Sequence, residues 1–150
     1  MKEPYLRLAK EADVDLLFLW ANDEDVRKNS FSTRKIEYEE HLNWYNNLLK
    51  NANNRQYILM DDSMPIGQAR ITTKGEYAEI GYSICKSQRS KGYGKKLLQL
   101  ITKQAWKDFP NINKIIGKVK ADNILSQRAF IAADYNEAYR TYEIDRHNYL

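Results

Sequence analysis

Lys86-Ser-Gln-Arg-Ser-Lys-Gly-Tyr-Gly-Lys-Lys96 holds five cations, no acid, and two of the six glycines in this 150-residue chain. Before it, Glu76 to Cys85 alternates as a strand does. Ala78, Ile80, Tyr82 and Ile84 fall on one face, and Glu79, Gly81, Ser83 and Cys85 on the other. After it, Leu97, Leu98, Ile101 and Ala105 form the apolar stripe of a helix reaching about Asp108, with Pro110 and Asn111 stopping it. A strand-to-helix turn leaves the first helical amides unpaired, and the helix dipole adds partial positive charge there. Gly92 and Gly94 carry no side chain, so an anion can come close to the backbone. The stretch therefore reads as a phosphate site with the extent of a diphosphate. It lacks the Gly-Lys-Ser/Thr of a Walker loop and the Gly-x-Gly-x-x-Gly of a dinucleotide fold.

Composition narrows the classes further. The length suits one domain, residues 1–150, and a 43% hydrophobic content with 3 Trp, 11 Tyr and 4 Phe excludes a disordered tail. One Cys rules out an internal disulfide, and two His, at 41 and 147, add little metal-ligand capacity, so no metal site is expected. The longest apolar run, Leu16 to Ala21, is far too short to span a bilayer, and the charged start MKEPYLRLAKEAD has no signal-peptide core. A soluble, cytoplasmic protein is expected. The formal charge is +4, yet without the five loop cations the 24 Lys and Arg become 19 against 20 Asp and Glu. The excess resides in that loop, with no interleaving of bases and aromatics of the kind that binds nucleic acid.

The rest of the chain reads as sheet and helix. Tyr5 to Ala9 is a short strand, Asp13 an N-cap, and Val14, Leu17, Phe18 and Ala21 one helical stripe. Asn22 to Lys35 is a polar loop with room for a helical turn. A helix starts near Glu37 and sets His41, Trp44, Tyr45 and Leu48 on one face. Strands follow at Gln56 to Asp61, Ile66 to Thr73 and Glu76 to Cys85, with turns at Asp61 to Pro65 and Lys74-Gly75. Asn113 to Lys120 is a strand, Asn123 to Ala133 a helix, and Glu137 to Asp145 a final strand. The order β-α-α-β-β-β-α-β-α-β describes an α/β (α+β) domain with a mixed sheet.

Arg89-Ser-Lys-Gly-Tyr-Gly94 matches the Gln/Arg-x-x-Gly-x-Gly/Ala signature of the GNAT superfamily of acetyl-CoA-dependent N-acetyltransferases at every fixed position. Asn123-Ile-Leu-Ser126 through Asp134-Tyr135 resembles the family's second signature, Asn-x-x-Ser/Ala followed by an apolar helix and Gly-Phe. The resemblance spans the chain and implies the GNAT fold, a mixed sheet of about six to seven strands, and acetyl-CoA as cofactor. It implies that the amides of Arg89, Ser90, Lys91, Gly92, Tyr93, Gly94 and Lys95 hold the CoA pyrophosphate. The backbone at Ile84 and Lys86 would hold pantetheine, with Asn123, Ser126 and Phe130 on the other side. Asn123 is equally suited to a plain N-cap.

Amine acetylation needs a neutral amine, and an amine of pKa about 10 is only about one part in a thousand neutral at pH 7, a cost of roughly 4 kcal/mol. Glu79, on the strand where several family members carry a base, is the candidate; the competing reading is a strand Glu paired with a nearby cation. The family's usual acid is a Tyr seven residues after the Asn, and Phe130 stands there instead. Asp134 replaces the Gly of Gly-Phe, a mild change because Asp tolerates left-handed geometry. Cys85 has no accompanying His and reads as a small buried strand residue.

The region Trp20-Ala-Asn-Asp-Glu-Asp-Val-Arg27 to Ser30, with Glu40-His41-Leu-Asn-Trp44, is similar to the subgroup acetylating nucleotide-linked amino sugars of bacterial surface glycans. Ala21 departs from the Arg common there. A nucleotide sugar brings a diphosphate that Arg27, Lys28, Arg34 or Arg70 can pair, and His41 can hydrogen-bond the sugar or nucleotide. Trp20 and Trp44 suit core packing better than an aromatic wall. The expected partner is thus a small-molecule amine, with no nucleic acid or membrane partner; a homodimer is compatible. The rival readings are acetylation of a protein N-terminus, as in ribosomal-protein acetyltransferases, and a catalytically idle acyl-CoA-binding domain.

Overall fold

Asn54–Asp61 (β2) contains the unbroken run Tyr57-Ile-Leu-Met60, every residue of it buried. Such a run marks a strand covered on both faces. Tyr57 and Leu59 point into one apolar cluster, and Ile58 and Met60 into the other. In the computed structural model, which describes residues 3–146, β2 lies inside a five-stranded sheet of order β1-β2-β3-β4-β5. The other strands are Tyr5–Leu8 (β1), Met64–Lys74 (β3), Tyr77–Ile84 (β4) and Lys114–Gly117 (β5). Pairing is antiparallel from β1 to β4 and parallel between β4 and β5. The β2–β3 turn carries Asp62 at φ +56° and the β3–β4 turn Gly75 at φ +69°.

Among the described residues five α-helices cover the sheet: Val14–Ala21 (α1), Glu24–Asn29 (α2), Tyr38–Lys50 (α3), Tyr93–Asp108 (α4) and Ile124–Ala132 (α5). On one face, α4 presses Leu97, Leu98, Ile101 and Ala105 against Leu59, Ala69, Ile71 and Ala78, all eight fully buried. Each of the large side chains contributes about 1.5–3 kcal/mol. On the other face, α1 and α3 supply Leu17, Tyr45 and Leu48 against Ile58 and Met60. The Tyr45 hydroxyl donates to the Lys10 carbonyl at 2.7 Å, and burial pushes its pKa up to about 12.

Two features differ from the sequence-based expectations, the strand count and the cap of α1. Among the described residues the sheet has five strands rather than six to seven. Residues 136–146 form no strand and are exposed, Tyr139, Tyr142 and Ile144 among them. The alternation in Glu137 to Asp145 has no strand beside it and no layer to bury its apolar face. The helical turn that the polar loop had room for is α2, capped by Asp23, whose carboxylate accepts from the amides of Asp25 and Val26. Asp13 makes no side-chain cap on α1, because its carboxylate takes a two-pronged bond from Arg7 and another from the Lys10 amide.

Candidate active site

β4 and β5 part company halfway. Their pairing ends at Ile80–Gly117, while β4 continues to Ile84. The Cys85 amide donates to Ile66 O at 2.9 Å, so the odd-numbered residues of β4 turn their backbone groups toward β3. The backbone groups of Tyr82 and Ile84 therefore face the gap that β5 leaves. Arg89 Nε fills one of them, donating to Ile84 O at 3.0 Å. The Tyr82 hydroxyl shares a 2.9 Å hydrogen bond with Ser126 Oγ from α5 across this gap, and burial raises its pKa although the Ser126 bond opposes the shift.

The gap leads to the start of α4. Gly92, at φ +83°, is the N-cap, and no side chain caps the first turn. The amides of Tyr93, Gly94 and Lys95 thus lack helical partners. Ser90 also has positive φ, +63°, which turns successive N–H groups toward one concavity. A Cβ on Gly92 would meet nothing within 4 Å, so the approach from solvent is open. Gly94 serves packing instead: a Cβ there would lie 3.7 Å from both Ala129 Cβ and Tyr82 Cε2. An extended chain bearing amides and ending in a diphosphate fits this groove. The loop cations are only partly available to such a ligand. Arg89 pairs with Asp23 at 2.9 Å and Asp25 at 3.0 Å, and Lys96 with Glu3 at 3.2 Å. Lys86 and Lys95 have no ion-pair partner among the described residues. Lys86 opens the 3-10 turn Lys86–Gln88, and Lys91 Nζ donates to Gln88 Oε1.

The second cleft lies on the opposite sheet face, under α1 and α2. Trp20, Asp23, Val26, Ser83, Cys85 and Arg89 line it. Its floor continues along β4 to Gly81, exposed and open above its Cα, with Arg70 opposite on β3 and Glu79 two residues along. The Arg70 guanidinium sits 5.1 Å from the centre of the Trp44 ring; burial lowers its pKa, and Glu79 opposes that shift. The Glu79 carboxylate meets Lys118 at 3.1 Å and Lys74 at 3.3 Å. Burial pushes its pKa up, but the two lysines outweigh this and hold it below the usual carboxylate value.

The other expected site residues are held by partners of their own. Arg27 Nε donates to Ala21 O at 2.7 Å, and its remaining nitrogens reach Ser30 Oγ and the carbonyls of Ser32 and Arg34. His41 is 3% exposed, contacts Val14 O through Nε2 at 3.1 Å and stacks on Tyr45; burial lowers its pKa. Asn123 caps α5 by accepting from the Ser126 amide. Phe130 is buried over Gly117, with edge-on contacts to Tyr82 and Tyr135. Asp134 adopts φ +71° and ends α5, while the Tyr135 hydroxyl turns inward to Thr102. Cys85 is half-buried at the cleft with Sγ 3.7 Å from Ser87 Oγ, rather than enclosed in the strand. Sequence reasoning missed Asp23, although an Asp followed by Glu-Asp before a short helical turn is an N-cap signal. It also missed Gln68, whose place beside Ser83 exists only across strands.

Over residues 5–136 the sequence matches the family described as acetyltransferase (GNAT) domain. Among its relatives is the uncharacterized N-acetyltransferase YfmK of Bacillus subtilis (strain 168), 25% identical over 129 residues, which make up 86% of this chain and 82% of that one. Acetyltransferase PseH of Campylobacter jejuni subsp. jejuni serotype O:2 is 28% identical over 135 residues, covering 87% of this chain and 74% of its own. The same fold occurs in spermidine N-acetyltransferase from Vibrio cholerae, crystallised with CoA and spermine, at TM-score 0.82 and 17% identity over 91% of this chain and 82% of that one. With the parted strands, the uncapped start of α4 and a family match across most of its length, the chain belongs to the GNAT acetyltransferases and uses acetyl-CoA.

Proposed function

We propose that this N-acetyltransferase moves an acetyl group to the primary amine of an amino sugar, carried as a nucleotide conjugate, in bacterial surface-glycan synthesis. The observation that carries the reading is the floor of the second cleft, where a cation, an anion and a hydroxyl (Arg70, Glu79 and Ser83) surround the open Gly81. Such a floor suits a ligand with an amine, anionic phosphates and neutral oxygens. The resemblance of Trp20 to Ser30 and Glu40 to Trp44 to the amino-sugar subgroup points the same way.

Acetyl-CoA supplies the thioester. The amides from Arg89 to Lys95 hold the pyrophosphate, the backbone of Tyr82 and Ile84 with Lys86 holds the pantetheine arm, and Asn123, Ser126 and Phe130 form its far wall. Glu79 holds the acceptor ammonium and passes its proton to solvent, since Lys74 and Lys118 keep the carboxylate too weak a base to retain it. Arg70 meets the acceptor's phosphate, while Arg27 and His41 serve the site by bracing its walls. Phe130 has no proton to give the leaving group. The amine attacks directly: Cys85 faces Ser87, and His41, the histidine among the described residues, is buried between α1 and α3.

The test is thiol release from acetyl-CoA with nucleotide-linked amino sugars, peptides and polyamines offered in parallel. Turnover of the sugars with kcat/KM at least ten-fold above the other amines is expected; turnover confined to peptides or polyamines overturns the assignment.

A further inference from the structure

Gln56 is 3% exposed, and its amide nitrogen donates to Ala69 O at 3.1 Å and Tyr57 O at 3.3 Å. Two backbone carbonyls can only accept, so that end of Gln56 is the NH2 end. The same nitrogen lies 2.8 Å from Gln68 Oε1, so its two protons are shared among three acceptors; an amide nitrogen accepts nothing, which makes that end of Gln68 the carbonyl. Gln68 must then present its NH2 to Ser83, and Gln68 Nε2 donates to Ser83 Oγ at 3.1 Å. The direction of every proton in this row is dictated by the two carbonyls at its buried end.

Ser83 thus accepts from the sheet, and its own hydroxyl proton is left for the cleft that Ser83 lines with Trp20, Val26 and Cys85. One lone pair of the hydroxyl is taken by Gln68, and its proton stays free to donate into the cleft. We propose that Ser83 is a specificity-determining residue that donates a hydrogen bond to an oxygen of the acceptor, a hydroxyl or carbonyl within reach of the amine held at Glu79. Glu79 and Ser83 each lie two positions from Gly81, about 7 Å along the strand on either side of it. The acceptor class selected is therefore an oxygenated amine, whereas a plain polyamine leaves the Ser83 proton unpaired. This deepens the proposed function and rests on its placement of the amine at the second cleft.

Two variants probe the proton's direction. Ser83→Ala removes the donor. Gln68→Glu keeps the size of the side chain but offers a carboxylate, which accepts from Gln56 and draws the Ser83 proton back into the sheet. The readout is the ratio of kcat/KM for an acceptor to that for its counterpart without the oxygen. The pairs are a nucleotide-linked amino sugar with each hydroxyl in turn replaced by hydrogen, and a peptide amine with its reduced-amide analogue. Spermidine serves as an oxygen-free amine. The native protein should discriminate about ten-fold against one deoxy analogue, and both variants should bring that ratio near one. The same collapse seen only with the peptide pair would uphold Ser83 and overturn the sugar assignment. Discrimination on sugars that survives in Ser83→Ala, or in Gln68→Glu, overturns Ser83 and leaves the sugar assignment standing. Turnover of spermidine alone overturns both.

Discussion

Glu79 lies between Lys74 and Lys118, and this pairing decides how its loss would look in a pH profile. Its pKa is held low, so it stays ionised throughout the range in which amines are assayed, and the rising limb of activity belongs to the acceptor amine. Glu79→Gln should lower kcat/KM by about 10²–10⁴-fold below the amine's pKa, with the loss narrowing above it. A profile of unchanged height and shape would remove Glu79 from catalysis. Gly92 offers a second test at this scale. Its φ of +83° costs other L-residues about 1–2 kcal/mol, and the space above it is open. Gly92→Glu places an acid at the mouth of the uncapped helix, and calorimetry should find CoA binding weakened more than 100-fold. Motif reading reaches such residues because a glycine flanked by bases before a helix has a local meaning. It does not reach the contact of Gln68 with Ser83 or of Asp23 with Arg89, whose partners are 15 and 66 residues apart.

At the scale of elements, α2 is tied to the glycine loop through Asp23. One carboxylate oxygen caps the helix and also receives Arg89, which in turn holds the free end of β4 at Ile84 O. Asn caps helices as well as Asp, so Asp23→Asn should keep α2 while loosening the loop. The expected result is a several-fold weaker CoA affinity with stability changed by less than about 1 kcal/mol, read by calorimetry and urea unfolding. The α5–β5 contact is steric: a Cβ at Gly117 would come within 2.2 Å of the Phe130 ring. Gly117→Ala should cost about 1–3 kcal/mol, and Phe130→Leu in the same chain should recover part of it. Between α1 and α3, buried His41 has a pKa below its value in the unfolded chain. The unfolded state then binds the proton more readily, so this contribution to stability is full above about pH 6.5 and is lost as pH falls below it. In urea unfolding between pH 5 and 7.5, His41→Gln should flatten that slope.

For the whole molecule, the groove proposed for the cofactor runs from the parted strands to α4 and touches the cluster packed on one sheet face, while the cleft proposed for the acceptor opens on the other. CoA at 100 times its Kd should stabilise the fold by about 2.7 kcal/mol, a rise in Tm of roughly 5–10 °C, with no rise in Gly92→Glu. Local pattern alone determined the strand–loop–helix unit around Lys86 to Lys96, the apolar stripe of α4 and the phosphate character of the loop. Each rests on neighbours within a few residues, where periodicity, glycine freedom and helix-end amides act. Only the tertiary structure decided the rest. It left Glu137 to Asp145 without a strand to pair with, and turned Arg89 and Arg27 from free cations into struts. It also enclosed His41 and aimed the Ser83 proton. Each of those outcomes depends on which group a fold brings opposite another, and that is a property of distant pairs, absent from any short stretch of chain.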